Sequence, residues 1–290
     1  MNFTNQKPHF EHLKRKWKTK AEKAESNLWD KHGRHLKQLA LGSLGGLMLL
    51  ASPSQAVLHP INQQVSRDDA LKNYDRSVLL ADKLKNIVPG EARSLNPDEE
   101  NQITKTLSSV FGFRVMAEID DVRLNRNFGF IGGEQHLYRY PGDNVYAHTD
   151  TSSDWAMYGT AGIASGLGAW GYFAPSKESF KDKDKMREKY YLAIQTFLVP
   201  GFAENFARLR DFFKYRKMIV VNPHSGQAVV AEIGDVGPSE WTGKHLGGSP
   251  EVMEALGLAT GPQKGEVLYF FIDDPEDEIQ LGPVKTKVEL

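Results

Sequence analysis

The side chains best suited to chemistry lie together in the segment Gly234–His245, which reads GDVGPSEWTGKH. Its acid, Asp235, follows an apolar run, is flanked by glycines and precedes a Gly-Pro pair. It therefore stands where the chain leaves a sheet, a common place for rigidly supported functional side chains. A carboxyl group there can donate a proton to a substrate atom or accept one. The alternative is that Asp235 only caps a turn.

A second group of possible ligands lies upstream and consists of histidines and aspartates. Its members are His136, Asp143, His148, Asp150 and Asp154. In a strand, His148 and Asp150 would point to one face, and a third partner would complete a His/carboxylate zinc site of the hydrolytic type. The chain has no HExxH or other strong zinc spacing, and turn-forming aspartates with surface histidines are the alternative. We therefore predict neither a metal nor a cofactor.

Composition excludes several other chemistries. The 290 residues include no cysteine, which removes thiol nucleophiles, CxxC redox pairs and cysteine zinc sites. The glycine-rich run Gly159–Gly171 lacks the P-loop pattern, and its single GxGxxG has no convincing βαβ unit around it. With 40% hydrophobic and 25% charged residues, the chain has the composition of a globular protein. Catalytic candidates are thus carboxylates and histidines.

Periodicity predicts the elements that would position these residues. Apolar residues recur at three- and four-residue steps over residues 66–88, which predicts an amphipathic helix. A second helix is predicted from Pro97, with Ile103, Leu107 and Val110 facing inward. After this helix the pattern changes to that of β-structure.

The clearest β-structure prediction is a hairpin, with strands at residues 218–221 and 228–231 around an Asn-Pro-His-Ser-Gly turn. The glycine-rich run is expected to be a loop or strand with close backbone approaches. Further expected elements are a possible strand at Gln135–Tyr140, a solvated helix or loop at Lys177–Lys189, a short helix from Ser249 and a buried strand at Val267–Ile272.

The run Asn222–Leu258, followed by Gly265-Glu266-Val267, resembles the C-terminal half of a double-psi β-barrel of the rare lipoprotein A type. It shows an N-x-x-x-G turn, a strand, an Asp-x-Gly-Pro motif, a Ser-started helix ending in Leu-Gly, and a final strand. Ala164-Ser165-Gly166 and Leu198–Gly201 are similar to earlier family segments, although the stretch between them is longer here. Similar barrels occur in membrane-bound lytic transglycosylase A and in expansins. The expected fold class is α+β: helices after a signal or anchor segment, then a mainly β domain containing a six-stranded double-psi β-barrel.

The resemblance implies that Asp235 corresponds to the family's catalytic Asp. That residue acts as general acid and then general base at the glycosidic oxygen of peptidoglycan, as in a lytic transglycosylase, which needs no water nucleophile. This role requires a carboxyl group that is partly protonated near neutrality, so burial should raise its pKa. Trp241 and Trp170 are candidates for stacking on sugar rings, and Glu240 and His245 for other substrate contacts. Core packing for the tryptophans, and exposed loop polarity for Glu240 and His245, are the alternatives.

Two departures from the family pattern bear on activity. Gly247 stands where the family has a second Asp, and Ile194 and Gln195 stand near the position of a family His. Glu240 or His245 could replace the missing acid. A non-catalytic peptidoglycan-binding or envelope-scaffold module with the same barrel is therefore the alternative function.

The formal net charge of −1 hides two different regions. Residues 1–38 carry ten Lys and Arg against four Asp and Glu, whereas residues 39–290 carry 26 against 33. The uncharged stretch Leu39–Ala51 would form a helix of about 20 Å, shorter than the ~30 Å of a membrane span but suitable for a secretory signal. Ser54 and Ala56 stand at the −3 and −1 positions of a possible cleavage site.

We therefore expect the basic arm to stay in the cytoplasm and the remainder to be exported. The exported part would be secreted to the envelope or anchored through residues 39–56; a buried core helix is the alternative for this stretch. Membrane topology accounts for the positive charge of the basic arm, so no nucleic-acid binding is expected. The expected partners are peptidoglycan glycan strands and, if residues 39–56 are retained, the membrane. The expected regions are a basic arm (1–38), a signal or anchor (39–56), a helical region (57–112), the barrel-containing domain (113–275) and a tail (276–290).

Overall fold

A computed structural model describes residues 77–284 of the chain. Its helices are α1 (described over residues 77–85), α2 (Pro97–Phe111), α3 (Ser152–Tyr158), α4 (Asp182–Lys189), α5 (Phe206–Phe213) and α6 (Pro250–Ala255). Its strands are β1 (Val115–Met116), β2 (Glu118–Ile119), β3 (Val122–Arg123), β4 (Phe128–Gly133), β5 (Tyr191–Ile194), β6 (Lys217–Val221), β7 (Ala228–Val236), β8 (Leu246–Gly248), β9 (Lys264–Ile272) and β10 (Gly282–Pro283). Short 3-10 helices lie at Val145–His148, Gly159–Ala161, Thr196–Leu198 and Glu240–Thr242.

Six strands close into a barrel in the order β9, β4, β8, β5, β7, β6 and back to β9. The pairs β4–β8 and β5–β7 are parallel, and the other four pairs are antiparallel. The predicted α+β class with a six-stranded barrel in the C-terminal part is thus confirmed. The mixed strand arrangement is compatible with a double-psi barrel.

Side chains from all six strands fill the barrel interior. Among them are Ile131, Leu192, Val220, Ile233, Leu246 and Tyr269, none more than 2% exposed. Alternate residues of β6, β7 and β9 face outward and are also apolar, because α1 and α2 cover this side of the barrel. Burial on both faces gives the apolar runs from which the hairpin was predicted, and that hairpin is confirmed as β6 and β7.

Helix α2 begins and ends where local sequence signals place it. Asn96 and Glu99 form a capping box, Pro97 occupies the first turn, and Gly112 ends the helix with a positive φ of 73°. The residues predicted to face inward, Ile103, Leu107 and Val110, are all buried. The prediction of this helix is therefore confirmed.

A long insertion, residues 134–190, separates β4 from β5 and contains α3 and α4. The predicted strand at Gln135–Tyr140 is wrong: the strand lies earlier, at Phe128–Gly133, and the later segment has only an isolated bridge from His136 to Ile163. Consecutive residues of this segment are buried together because it is enclosed by the insertion, so it lacks the two-faced alternation of a half-buried strand.

The segment after β9 is fixed to the barrel by a buried lysine. The Lys217 amino group lies 2.6 Å from carboxylate oxygens of Asp274 and Asp277 and donates to the carbonyl of Ile279. Despite burial, which lowers it, the pKa of Lys217 is raised by hydrogen bonds to the two aspartates. Hydrogen bonds from Lys183 and Lys217 lower the pKa of Asp277 to about 2.

Replacing Lys217 by Met is expected to reduce stability and to remove part of its dependence on acid pH. A folded-state pKa below the ordinary value means that the carboxylates stabilise the fold above about pH 4 and lose this contribution as pH falls toward about 2. Thermal unfolding from pH 2 to 7 measures this acid limb. Equal acid limbs in wild type and Lys217→Met would contradict the assignment, and exposed Lys214→Met is the control.

The predicted signal or anchor segment, residues 39–56, and the start of the predicted first helix lie outside the described residues. Residues 77–85 confirm the helical character of the described end of that helix. Between residues 77 and 284, no helix is both long and apolar enough to cross a membrane.

Candidate active site

A row of very small residues crosses the outer surface of the barrel and ends at Asp235. Strand register pairs Gly132 with Gly247, Gly247 with Ala193, and Ala193 with Asp235. Paired residues of neighbouring strands point to the same face of a sheet. The three small residues therefore form the floor of a groove across β4, β8 and β5, with the Asp235 carboxyl at its β7 end. All three are buried, because the side chains of Lys244 and Glu134 lie over the two glycines. We call this surface the Asp235 groove.

A β-bulge in β7 is what turns Asp235 outward. Leu192 pairs with Ile233, whereas the next residue of β5, Ala193, pairs with Asp235, so Gly234 is the extra residue. Without the bulge, Asp235 would share the inward face of Ile233. A Cβ atom on Gly234 would lie 2.7 Å from Cβ of Tyr191, so glycine is required at this position.

The Asp235 carboxyl group is held by two backbone amides. Its Oδ1 accepts hydrogen bonds of 2.8 Å from the N–H groups of Ala169 and Val236. Burial raises the pKa of Asp235 above its ordinary value; these two bonds oppose the rise, and the nearby charge of Glu134 adds to it. A half-buried carboxyl with a raised pKa, oriented by fixed donors, is suited to donate a proton.

The glycine-rich run supplies the Ala169 amide because it lies directly against β7. A Cβ atom on Gly168 would lie 3.0 Å from the carbonyl oxygen of Gly234. In the same run, the Trp170 ring packs against the barrel core, and its Nε1 donates to the carbonyl of Arg210 at 3.2 Å. The close backbone approach agrees with the predicted loop.

The other predicted substrate-binding residues lie in different surroundings. Trp241 is 88% exposed, and Glu240 beside it is also exposed. His245 is half-buried: its Nδ1 accepts from the amide of Phe130 at 2.9 Å, and its Nε2 lies 2.8 Å from Arg126. Burial, then the charge of Arg126, lowers the pKa of His245. His245 thus fixes the loop to β4, while Trp241 is free to meet a ligand.

Glu134 lies over Gly247, the residue that stands at the second Asp of the resembled family pattern. A Cβ atom on Gly247 would lie 2.3 Å from the carboxylate oxygen of Glu134, so the Glu134 side chain covers this glycine. Lys244 pairs with the same oxygen at 2.7 Å and lies across Gly132. The structure therefore brings a carboxylate and an ammonium group into the Asp235 groove. Sequence reasoning missed both. Glu134 precedes Asp235 by about a hundred residues and has no motif, and Lys244 lies within Gly234–His245 but was not predicted as a site residue.

Gln195, near the position of the family's His, is buried behind the loop that carries Trp241. Its Nε2 donates to the carbonyls of Pro238 and Lys244, at 2.9 and 3.2 Å. The amide thus ties together the two ends of this loop. By holding this loop in place, Gln195 helps to fix one side of the Asp235 groove.

The structure also joins part of the upstream group of histidines and aspartates. His136, Asp143 and His148 lie together in the interior, whereas Asp150 pairs with Lys185 at the surface. Asp154, the fifth member of the predicted group, accepts from the amides of residues 150 and 151 at the start of α3. Asp150 thus forms a surface ion pair and Asp154 caps a helix, so neither belongs to the buried group.

Glu188 of α4 joins the buried group and was expected to be solvated. Its two carboxylate oxygens lie 3.2 Å from Nδ1 of His136 and 3.0 Å from Nδ1 of His148. Nε2 of His148 lies 2.9 Å from Asp143, which forms a bidentate pair with Arg139. Burial would raise the pKa of Glu188, but hydrogen bonds with the two histidines outweigh it and lower the pKa to about 2. We call His136, His148, Glu188, Asp143 and Arg139 the histidine cluster.

Glu251, in the first turn of α6, lies beside this cluster. It is 4% exposed, and neither of its carboxylate oxygens has a hydrogen-bond partner in the described part of the chain. Burial, then the charge of Glu188, raises the pKa of Glu251 to about 7. The charges of Glu134, Glu188, Asp235 and Glu251 all act on buried Tyr191, so the cluster and the Asp235 groove lie near the same side chain.

Comparisons of the chain with known protein families, with curated proteins and with solved structures give no significant match.

Proposed function

We propose that the chain is a cell-wall glycan-cleaving enzyme of the lytic transglycosylase kind, with a rare lipoprotein A-like double-psi barrel and Asp235 as its catalytic acid. The observation that carries the proposal is the placement of Asp235. A bulge turns this carboxyl onto the outer face of a closed barrel, two amides orient it, and burial raises its pKa. An aspartate that only capped a turn would need neither a raised pKa nor a position beside a groove.

The proposed reaction uses Asp235 twice. First, its carboxyl group gives a proton to the glycosidic oxygen while the bond from that oxygen to the muramoyl C1 breaks. The resulting carboxylate then takes the proton of the muramoyl O6 hydroxyl as O6 bonds to C1. The acid is regenerated, no water is consumed, and the product carries a 1,6-anhydro ring. The carboxyl group needs to be protonated at the start, which its raised pKa favours.

The Asp235 groove suits an extended polysaccharide. Its floor consists of Gly132, Gly247 and Ala193, and a chain would approach the sheet closely once the side chains of Lys244 and Glu134 move off the glycines. Three strand spacings separate Gly132 from Asp235, about 14 Å. Exposed Trp241 offers an aromatic face near one end. Export, with anchoring through residues 39–56 if they are retained, would place this groove at the peptidoglycan.

A non-catalytic wall-binding module is the second candidate, favoured by two observations. Lys244 neutralises Glu134, and Gln195 stands near the position of the family's His. Digestion of purified murein sacculi with the full chain separates the two functions. Anhydro-ended muropeptides support the enzyme. Sedimentation with sacculi but no soluble products at any pH from 4 to 9 supports the binding module and contradicts cleavage.

Glu134→Gln is expected to move the activity profile to lower pH. The negative charge of Glu134 contributes to the raised pKa of Asp235, so its removal lowers that pKa. Because the general acid must be protonated, the alkaline limb of the rate then lies at lower pH, and activity near neutrality falls. Product formation between pH 4 and 9 measures the limb. An unshifted profile contradicts the coupling, and exposed Glu204→Gln is the matched control.

A further inference from the structure

We propose that His136, His148 and Glu188 form a structural binding site for one Zn²⁺ ion. This site is separate from the Asp235 groove, and the proposal does not depend on glycan cleavage. It rests on the arrangement of three buried ligands, on the groups behind them, and on a buried carboxylate that lacks a partner.

The three side chains already have nearly the spacing of metal ligands. Each offers one ligand atom, and these atoms lie within 4.8 Å of one another. The Nδ1 atoms lie 3.2 and 3.0 Å from the Glu188 oxygens. Ligands of a tetrahedral ion with bonds of about 2.0 Å are about 3.3 Å apart. The two distances run to different oxygens of Glu188, so binding an ion requires the rings to move until both nitrogens and one of these oxygens reach this spacing.

The surroundings of His148 are those of a metal-binding histidine. Its Nε2 faces Asp143 at 2.9 Å, and the bidentate pair with Arg139 fixes that carboxylate. An imidazole that donates one N–H to a carboxylate has its other nitrogen available to a metal, and such outer carboxylates orient metal-binding histidines. Asp143 thus selects Nδ1 of His148 as the ligand atom.

Unpartnered buried atoms provide an independent observation. Nε2 of His136, a side chain with no exposed surface, has no hydrogen-bond partner between residues 77 and 284, and it would keep its proton and stay unpartnered if Nδ1 bound an ion. Both carboxylate oxygens of Glu251 are likewise unpartnered there, although this residue is only 4% exposed and its charge acts on Glu188 and His136. Burying a carboxylate without a partner is costly.

A divalent cation would stabilise the buried carboxylates at this place. Arg139 and Asp143 form their own ion pair, which leaves the carboxyl groups of Glu188 and Glu251 beside the two imidazoles. One Zn²⁺ ion would bring positive charge next to both. Two imidazoles and a carboxylate are a ligand set that Zn²⁺ accepts in proteins.

The position of the site explains what the ion would do. His136 follows β4, His148 lies in the 3-10 helix Val145–His148, and Glu188 ends α4 just before β5. An ion bound by all three would clamp the insertion between β4 and β5 to the barrel. The three ligands are buried, so a water molecule would have to occupy the fourth position of a tetrahedral ion.

Metal analysis of the untagged full chain, purified without chelator, tests the proposal. We expect one zinc per chain, a lower Tm after chelation, and recovery of Tm when Zn²⁺ is added. His148→Ala and Glu188→Gln should abolish this binding. Asp143→Asn should weaken it about 10- to 100-fold, as expected for an outer-shell residue. His224→Ala is the matched control, because His224 forms an exposed pair with Glu266.

Two results would overturn the proposal. One is a wild-type chain that binds no stoichiometric Zn²⁺ and whose Tm is insensitive to it. The other is unchanged Zn²⁺ affinity in His148→Ala, which would assign the ion to other histidines of the chain. If the variants do not fold, the test instead records the visible spectrum of Co²⁺ added to wild-type protein from which metal has been removed. Strong visible absorption of a four-coordinate ion supports the site, and the weak spectrum of a six-coordinate ion rejects it.

Discussion

Asp235→Asn is expected to slow glycan cleavage strongly and leave the fold at least as stable at neutral pH. General acid–base catalysis contributes about 10²- to 10⁴-fold to a rate, so we expect a loss of this size. Asn keeps an oxygen that can accept the hydrogen bonds from the amides of Ala169 and Val236, but it has no proton to give to a glycosidic oxygen. Muropeptide analysis of digested sacculi measures the loss.

The expected effect on stability follows from the raised pKa of Asp235. A folded-state pKa above the unfolded value gives a stability contribution that is complete below the unfolded value, near pH 4. It is lost as pH rises through the folded pKa. At pH 7 the ionised carboxylate therefore destabilises the folded state. Replacement by Asn removes this destabilisation, so Tm should stay equal or rise.

Two controls separate this result from simple damage. Asp211→Asn changes an exposed aspartate on α5 and should alter neither activity nor Tm. Thermal unfolding at pH 4 should show little benefit from Asp235→Asn, in contrast to pH 7. Equal product yields from wild type and Asp235→Asn would refute the proposed catalytic role. A large loss of stability at pH 7 would instead indicate that Asp235 is structural.

Glu188→Gln is expected to destabilise the chain by about 3–5 kcal/mol in metal-free buffer, the usual cost of breaking a buried charged network. Glu188 accepts from the amide of Leu137 and lies against both His136 and His148. A Gln side chain has only one accepting oxygen, and its amide would face a histidine donor. At least one buried donor would lose its partner.

Denaturant unfolding measures the change in the free energy of unfolding, and hydrogen exchange shows where it acts. Amides of residues 134–148 should lose protection before those of the barrel strands, because Glu188 fixes the insertion to the barrel. Glu178→Gln, an exposed change of the same chemistry, is the control. A destabilisation below about 1 kcal/mol would show that the network contributes little.

Asp150, Asp154 and Glu188 show how burial decides which acids join a buried cluster. Asp150 and Asp154 have ligand chemistry and lie near the histidines in sequence, yet a surface lysine and a helix start use their carboxylates. Glu188 belongs to a run of charged residues that is typical of a solvated helix, yet it is 1% exposed. Its partner His136 is 52 residues away in sequence, so no local pattern could join them.

The amino-acid sequence by itself determined several local elements and placed Asp235 at the end of a strand. Capping signals set the limits of α2, apolar runs around a turn predicted the β6–β7 hairpin, and the motif near Asp235 identified the end of a barrel strand. These predictions succeed because helix caps, turns and alternating burial depend on residues that are close together in the chain. Only the tertiary structure decided that a bulge turns Asp235 outward, that Glu134 covers Gly247, and that Glu188 meets two histidines. Each depends on strand register and barrel closure, which bring distant residues together.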